Sequence, residues 1–127
     1  MDVITILGAM ALAYIGMMVI YYKSRSTEKD KKTSNLMMKG IRNLRQNNLD
    51  RALIYFNEAY ENCIKTDNAE EGAEALYNLG IIYQKRADND NALKYLKAAD
   101  ELYYQLRDSE GKRKIKEAII SIRSLEN

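Results

Sequence analysis

Glu70, Glu71 and Glu74 fall within little more than one helical turn, and paired carboxylates are the one arrangement in this chain with the makings of proton transfer. Such a pair needs something to act with. The chain contains no histidine, shows no glycine-rich loop to cradle phosphate and carries no nucleophile motif. Acidic residues in a first turn are also what the positive end of a helix dipole favours. Cys63 is alone, so an internal disulfide is excluded, and a cysteine–histidine metal cage lacks ligands. It reads as a small buried thiol. Of the ten tyrosines, Tyr55, Tyr60, Tyr77, Tyr83, Tyr95, Tyr103 and Tyr104 read as packing residues with hydroxyls at the surface. The expectation is a protein that is not an enzyme, with no cofactor and no metal site.

Charge and hydropathy are distributed unevenly along the 127 residues. Residues 3–22, "VITILGAMALAYIGMMVIYY", carry no charge. As a helix they would extend roughly 30 Å, the thickness of a bilayer's hydrocarbon core. Tyr21 and Tyr22 fall where an aromatic belt would lie. The run is too long for a cleaved leader, Asp2 stands where a leader is basic, and Tyr21-Tyr22-Lys23 is a poor cleavage site. A single-pass anchor is therefore expected. Lys23, Arg25, Lys29, Lys31 and Lys32 follow the span and no cation precedes it. The positive-inside rule then puts the N-terminus outside and the rest of the chain in the cytoplasm. Residues 23–33 read as a charged juxtamembrane linker with affinity for anionic headgroups. Ala9 and Ala13 form one small-xxx-small pair in the span. The remaining 95 residues hold fifteen basic and fifteen acidic side chains, without the basic surplus of a nucleic-acid binder.

Sliding the sequence along itself by forty residues superimposes Gly40, Ala52, Phe56 and Ala59 on Gly80, Ala92, Leu96 and Ala99. A period in this range signals stacked helical hairpins. Small residues at fixed distances let two helices approach, and the bulky residue between the alanines fills the groove. "QNNLD" and "ADNDN" supply the turns. The reading is all-α: helices at about 34–47, 50–66, 69–86 and 90–107, Asp67 capping the third with Glu70 three residues on, then a capping helix at 110–126. Ile115, Ala118, Ile119, Ile122 and Leu125 form that helix's apolar face, and Gly111 matches Gly72. Repeat 1 covers 34–66, repeat 2 covers 69–107, and the domain 34–127.

"LYNLGIIY" followed by alanines twelve and nineteen residues after its glycine resembles the tetratricopeptide repeat. The forty-residue period is similar to the long-helix subclass of that family. The first unit departs from the pattern, with Lys39 and Asn43 in place of Leu and Tyr. The resemblance implies a superhelix whose first helices line a concave face for a protein or peptide. It puts Asn78 where the subclass bonds a ligand's backbone. Ile82 and Lys85 follow on the same helix, and Met38, Arg42 and Arg45 are their first-unit counterparts. An apolar floor with a basic rim implies an acidic or amphipathic partner segment. Met37 and Ile41 stand where a carboxylate-clamping member would have Lys and Asn, so that specialised role is not implied.

Two functions are compatible with these readings. One is a membrane-anchored adaptor that holds a protein partner at the cytoplasmic face. The other is a self-assembling structural protein, because two units and a cap are fewer than the three repeats a stable stack requires, which leaves apolar ends to pair as a homo-oligomer.

Overall fold

A computed structural model describes residues 2–126, the side chains of Ser26 and Lys29 excepted. Lys29, one of the flank's expected cations, and Asn127, the end of the expected domain, thus lie outside the described side chains and residues respectively. The described residues form five helices and no strand. They are α1 (Val3–Arg45), α2 (Leu49–Thr66), α3 (Ala69–Lys85), α4 (Asn89–Gln105) and α5 (Ser109–Glu126).

α1 differs from the expected span, linker and repeat helix by being one helix of 43 residues. The segment 23–33 has four Lys and neither Pro nor Gly, so nothing in it breaks a helix. Its hydroxyls need not either: Thr27 Oγ1 donates to Lys23 O at 2.8 Å. Polarity had suggested a linker, but polarity alone does not unwind backbone. The apolar side chains of residues 3–22 lie open, Leu12 at 72% and Met17 at 71%.

Beyond α1 the chain folds as hairpins with a second, shorter period. Asn47, Asp67, Ala87 and Arg107, each twenty residues from the next, all take positive φ (61°, 55°, 60° and 56°). The amide after each reaches back five residues: Asn48 N to Asn43 O, Asn68 N to Cys63 O, Asp88 N to Tyr83 O and Asp108 N to Tyr103 O, at 2.8–3.0 Å. This left-handed closure satisfies carbonyls that a helix end leaves open. At the last three turns the side chain of the same post-turn residue then caps the next helix, which Asn48 does not do for α2. Asn68 Oδ1 accepts from Glu71 N, Asp88 Oδ1 from Asn91 N and Asp108 Oδ1 from Gly111 N. Asp67 is therefore not the cap the sequence suggested; it ends α2 in the left-handed conformation, and the cap falls one residue later.

Packing bears out the spaced small residues. Ala52, Ala59, Ala92 and Ala99 are fully buried with Phe56 and Leu96. A Cβ on Gly40 would lie 2.8 Å from the Phe56 ring, and one on Gly80 2.7 Å from Leu96 Cγ. At Gly72 the nearest neighbour, Cys63 Cβ, would be 3.5 Å away, an ordinary contact. Gly111, matched to Gly72 in sequence, instead lies hard against the Tyr103 ring. On α5, Ile115, Ala118 and Ile122 are buried and Ile119 half-buried, while Leu125 is 78% exposed. The expected apolar face thus closes one turn early. Where α1 enters the stack, the buried Thr33 accepts a hydrogen bond from Asn62 Nδ2 of α2.

Candidate docking surface

α3 is the middle helix of the stack and packs against α2, α4 and α5. Toward α4 it presents Gly80, and Tyr83, whose ring stacks on Tyr95 at 5.3 Å and 4°. Toward α2 it presents Gly72, against Cys63. Toward α5 it presents Gln84, which donates to Ser121 Oγ at 3.3 Å, and Tyr77, whose ring carries the Lys114 ammonium 4.4 Å from its centroid.

The residues expected to form one groove divide between surface and core. Met38, Arg42 and Arg45 come together, and with Ile41 and Gln46 line a shallow cavity of about 400 Å³ on α1. Lys85 is exposed but outside that cavity. Asn78 is half-buried, and its Nδ2 donates to Glu74 O in its own helix at 2.9 Å. One of its two amide N–H donors is thus engaged within the helix. Ile82 is no groove floor: it is fully buried in the core. Helical spacing put it one turn from Asn78, but the packing of α2 against α3 rotates that position inward.

The structure brings together a second cavity that sequence reasoning had passed over. Glu70, Glu71 and Glu74 of α3 meet Asp108, Glu110, Gly111 and Lys114 at the start of α5, with Tyr103 as a wall, around about 470 Å³. Glu70 and Glu110 stand forty residues apart, so the repeat itself carried the signal; the helix dipole had seemed sufficient reason for the acids. Five carboxylates face one ammonium there, and that ammonium already lies over Tyr77. Glu71 Oε2 is buried with no hydrogen-bond partner. Burial, then the charges of Asp30 and Glu74, raises the Glu71 carboxyl above its ordinary range. Exposed Glu110 is held below that range by its hydrogen bond from Arg113.

This arrangement suits a cation. Burial pushes Tyr103 up to about 12, with Glu74 and Asp108 adding to it, so its hydroxyl remains a neutral donor. Burial, with the Glu71 charge second, pushes the Cys63 thiol up to about 11, far from a reactive thiolate. Among the described residues no group of three or more His, Cys, Asp or Glu is arranged to hold a metal ion.

Both ends of the stack are cationic. At the first end lie Arg42 and Arg45. At the other, a cavity of about 560 Å³ on α5 is lined by Lys112, Arg113, Lys116, Ile119, Ile120 and Arg123, with Asp100 of α4 pairing Lys112 at 3.2 Å. Lys116, Ile120 and Arg123 are the forty-residue equivalents of Leu76, Gly80 and Tyr83, of which Gly80 and Tyr83 face α4. Charge and bulk there replace the residues that would admit a further helix.

Comparison with known proteins agrees with the hairpins and their spacing. No curated protein and no solved structure among those compared matches the chain. The family model described as Tetratricopeptide repeat matches residues 35–105, more than half of the chain. That match covers both hairpins and both glycine–alanine sets, and the chain belongs to the tetratricopeptide repeat family.

Proposed function

We propose that this chain is a single-pass membrane-anchored adaptor whose repeat domain holds a protein partner at the cytoplasmic face. The observation that carries the reading is the contrast within α1. One helix is open and apolar over residues 3–22, none of that stretch being buried by the rest of the protein, and becomes an integral part of the repeat stack from Thr33 onward. Exposed apolar surface of that extent needs an apolar environment, and a span of that length finds one in a bilayer. The cations at 23–32 support a cytoplasmic domain. Family membership supports a protein or peptide as partner, and the two cavities divide its chemistry. Met38, Arg42 and Arg45 suit acidic or amphipathic segments, whereas the cavity between α3 and α5 suits a basic one.

Self-assembly by continuing the stack is the weaker reading, because joining two copies end to end would bring Arg42 and Arg45 against Lys116 and Arg123. A reporter fused to the C-terminus, together with flotation of the full-length chain with membranes, tests the anchored reading. Co-flotation that resists alkaline extraction and a reporter active only inside the cell are expected. A chain that remains with soluble protein after gentle lysis, or a reporter active only outside, refutes it.

A further inference from the structure

We infer that the acidic cavity between α3 and α5 receives the basic collar, residues 23–32, of a second copy of this chain anchored in the same membrane. The inference rests on the anchored reading and adds a side-by-side contact to it, distinct from end-to-end stacking.

Height is the first argument. α2 runs antiparallel to α1 and is tied to it by the Asn62–Thr33 hydrogen bond. The α2–α3 turn, a few residues past Asn62, therefore lies level with the residues just before Thr33. Glu70 and Glu71 open α3 at that level, and the charge of Asp30 reaches Glu71. α5 starts at the same end of the stack, since successive hairpins reverse direction every twenty residues. The cavity and the collar thus stand at one height above the bilayer, which two anchored copies would share.

Charge is the second. The collar carries Lys23, Arg25, Lys29, Lys31 and Lys32 against Glu28 and Asp30, and Lys23, Arg25, Lys31 and Lys32 are exposed. The cavity holds five carboxylates and one lysine, and with Glu110 paired to Arg113 it keeps a surplus of acid. The third is the cavity's own chemistry. Glu71 Oε2 is buried there without a hydrogen-bond partner, and Lys114 over Tyr77 shows that its neighbouring aromatic wall accepts a primary ammonium. The contact joins unlike surfaces, so each copy offers a collar to one neighbour and a cavity to another.

The test uses full-length chains bearing donor or acceptor fluorescent proteins at the C-terminus, reconstituted in neutral-lipid vesicles at high dilution. Energy transfer above the random background, reduced by high salt, is expected for the wild type. Glu70→Lys with Glu110→Lys, and separately Lys31→Glu with Lys32→Glu, should each weaken association by roughly tenfold or more, since like charges are then opposed. These side chains are exposed, and circular dichroism checks that both variants fold. Mixing the two variants should restore transfer, because each then offers what the other accepts. Wild-type transfer at background, unchanged transfer in either variant alone, or no restoration on mixing overturns the proposal. So does a lysine-rich peptide of different sequence cross-linking to Glu70 in a chain that does not self-associate, which assigns the cavity to another basic protein. A chain that fails to float with the vesicles overturns the anchored reading as well; one that floats without transfer overturns this contact alone.

Discussion

Gly72 and Gly80 sit two turns apart on α3, yet alanine at these two positions should have opposite effects. Replacing a helical glycine by alanine gains about 1 kcal/mol of helix propensity. At Gly72 nothing opposes that gain, because the new Cβ would meet Cys63 Cβ at 3.5 Å and Leu102 Cδ1 at 3.9 Å. At Gly80 the Cβ would lie 2.7 Å from Leu96 Cγ, 2.8 Å from Leu96 Cδ2 and 3.3 Å from the Ala92 carbonyl oxygen. Leu96 is fully buried and the carbonyl is helix backbone, so neither can withdraw cheaply. Overpacking of this kind costs about 1–3 kcal/mol, leaving Gly80→Ala destabilised by about 1 kcal/mol after the propensity gain. The two variants should differ by about 2 kcal/mol, close to a 30-fold change in the folding equilibrium. Urea unfolding of the full-length chain in micelles, followed by far-ultraviolet circular dichroism, gives the midpoints. Labelling of Cys63 gives a second probe, since a buried thiol with its pKa near 11 reacts only when the stack opens. Should both alanines move the midpoint in the same direction, the account of α3–α4 approach is wrong.

Further predictions concern the turns, the α1 junction and pH. Ala87→Gly and Arg107→Gly should each raise stability by about 0.5–1 kcal/mol, because an L side chain at positive φ is strained by more than glycine's added freedom costs; thermal melts show the shift. Thr33→Val should cost about 1–3 kcal/mol by removing the acceptor of Asn62 Nδ2 in a buried place, read from urea midpoints. Glu71 has a folded pKa raised above its unfolded value, so its ionisation lowers stability as pH rises through the carboxylate range into neutral conditions. Glu71→Gln should therefore be the more stable chain at neutral pH, with the difference vanishing in acid below that range; midpoints measured at both settle it.

The hairpin architecture was legible because close helix approach demands small side chains, and Gly40, Gly80, Ala92 and Ala99 announce it in one-letter code. The turns at "QNNLD" and "ADNDN" were legible too, but not their geometry: the left-handed residues are Asn47, Asp67, Ala87 and Arg107, four types with no common chemistry, and it is the following Asn48, Asn68, Asp88 and Asp108 that repeat in type. Charge misled at residues 23–33, where a run typical of a linker is also a run of good helix formers. The candidate site was half legible. Met38, Arg42 and Arg45 do line one cavity, but Ile82 turned inward, because which side of α3 faces α2 depends on how the hairpins pack. The acids at Glu70 and Glu110 had a sufficient local explanation, and their convergence across the α3–α5 junction is a tertiary fact.

In the anchored reading, the unbroken course of α1 ties the pose of the repeat stack to lipid thickness. A span longer than the local hydrocarbon layer leans over to bury itself. With no swivel near residue 23, that lean passes to everything attached above. The outer 23 residues of α1 rise roughly 35 Å above the headgroups, so leaning by about 20° carries Arg45 sideways by roughly 10 Å. A thinner or thicker bilayer would thereby change how far from its foot the molecule reaches.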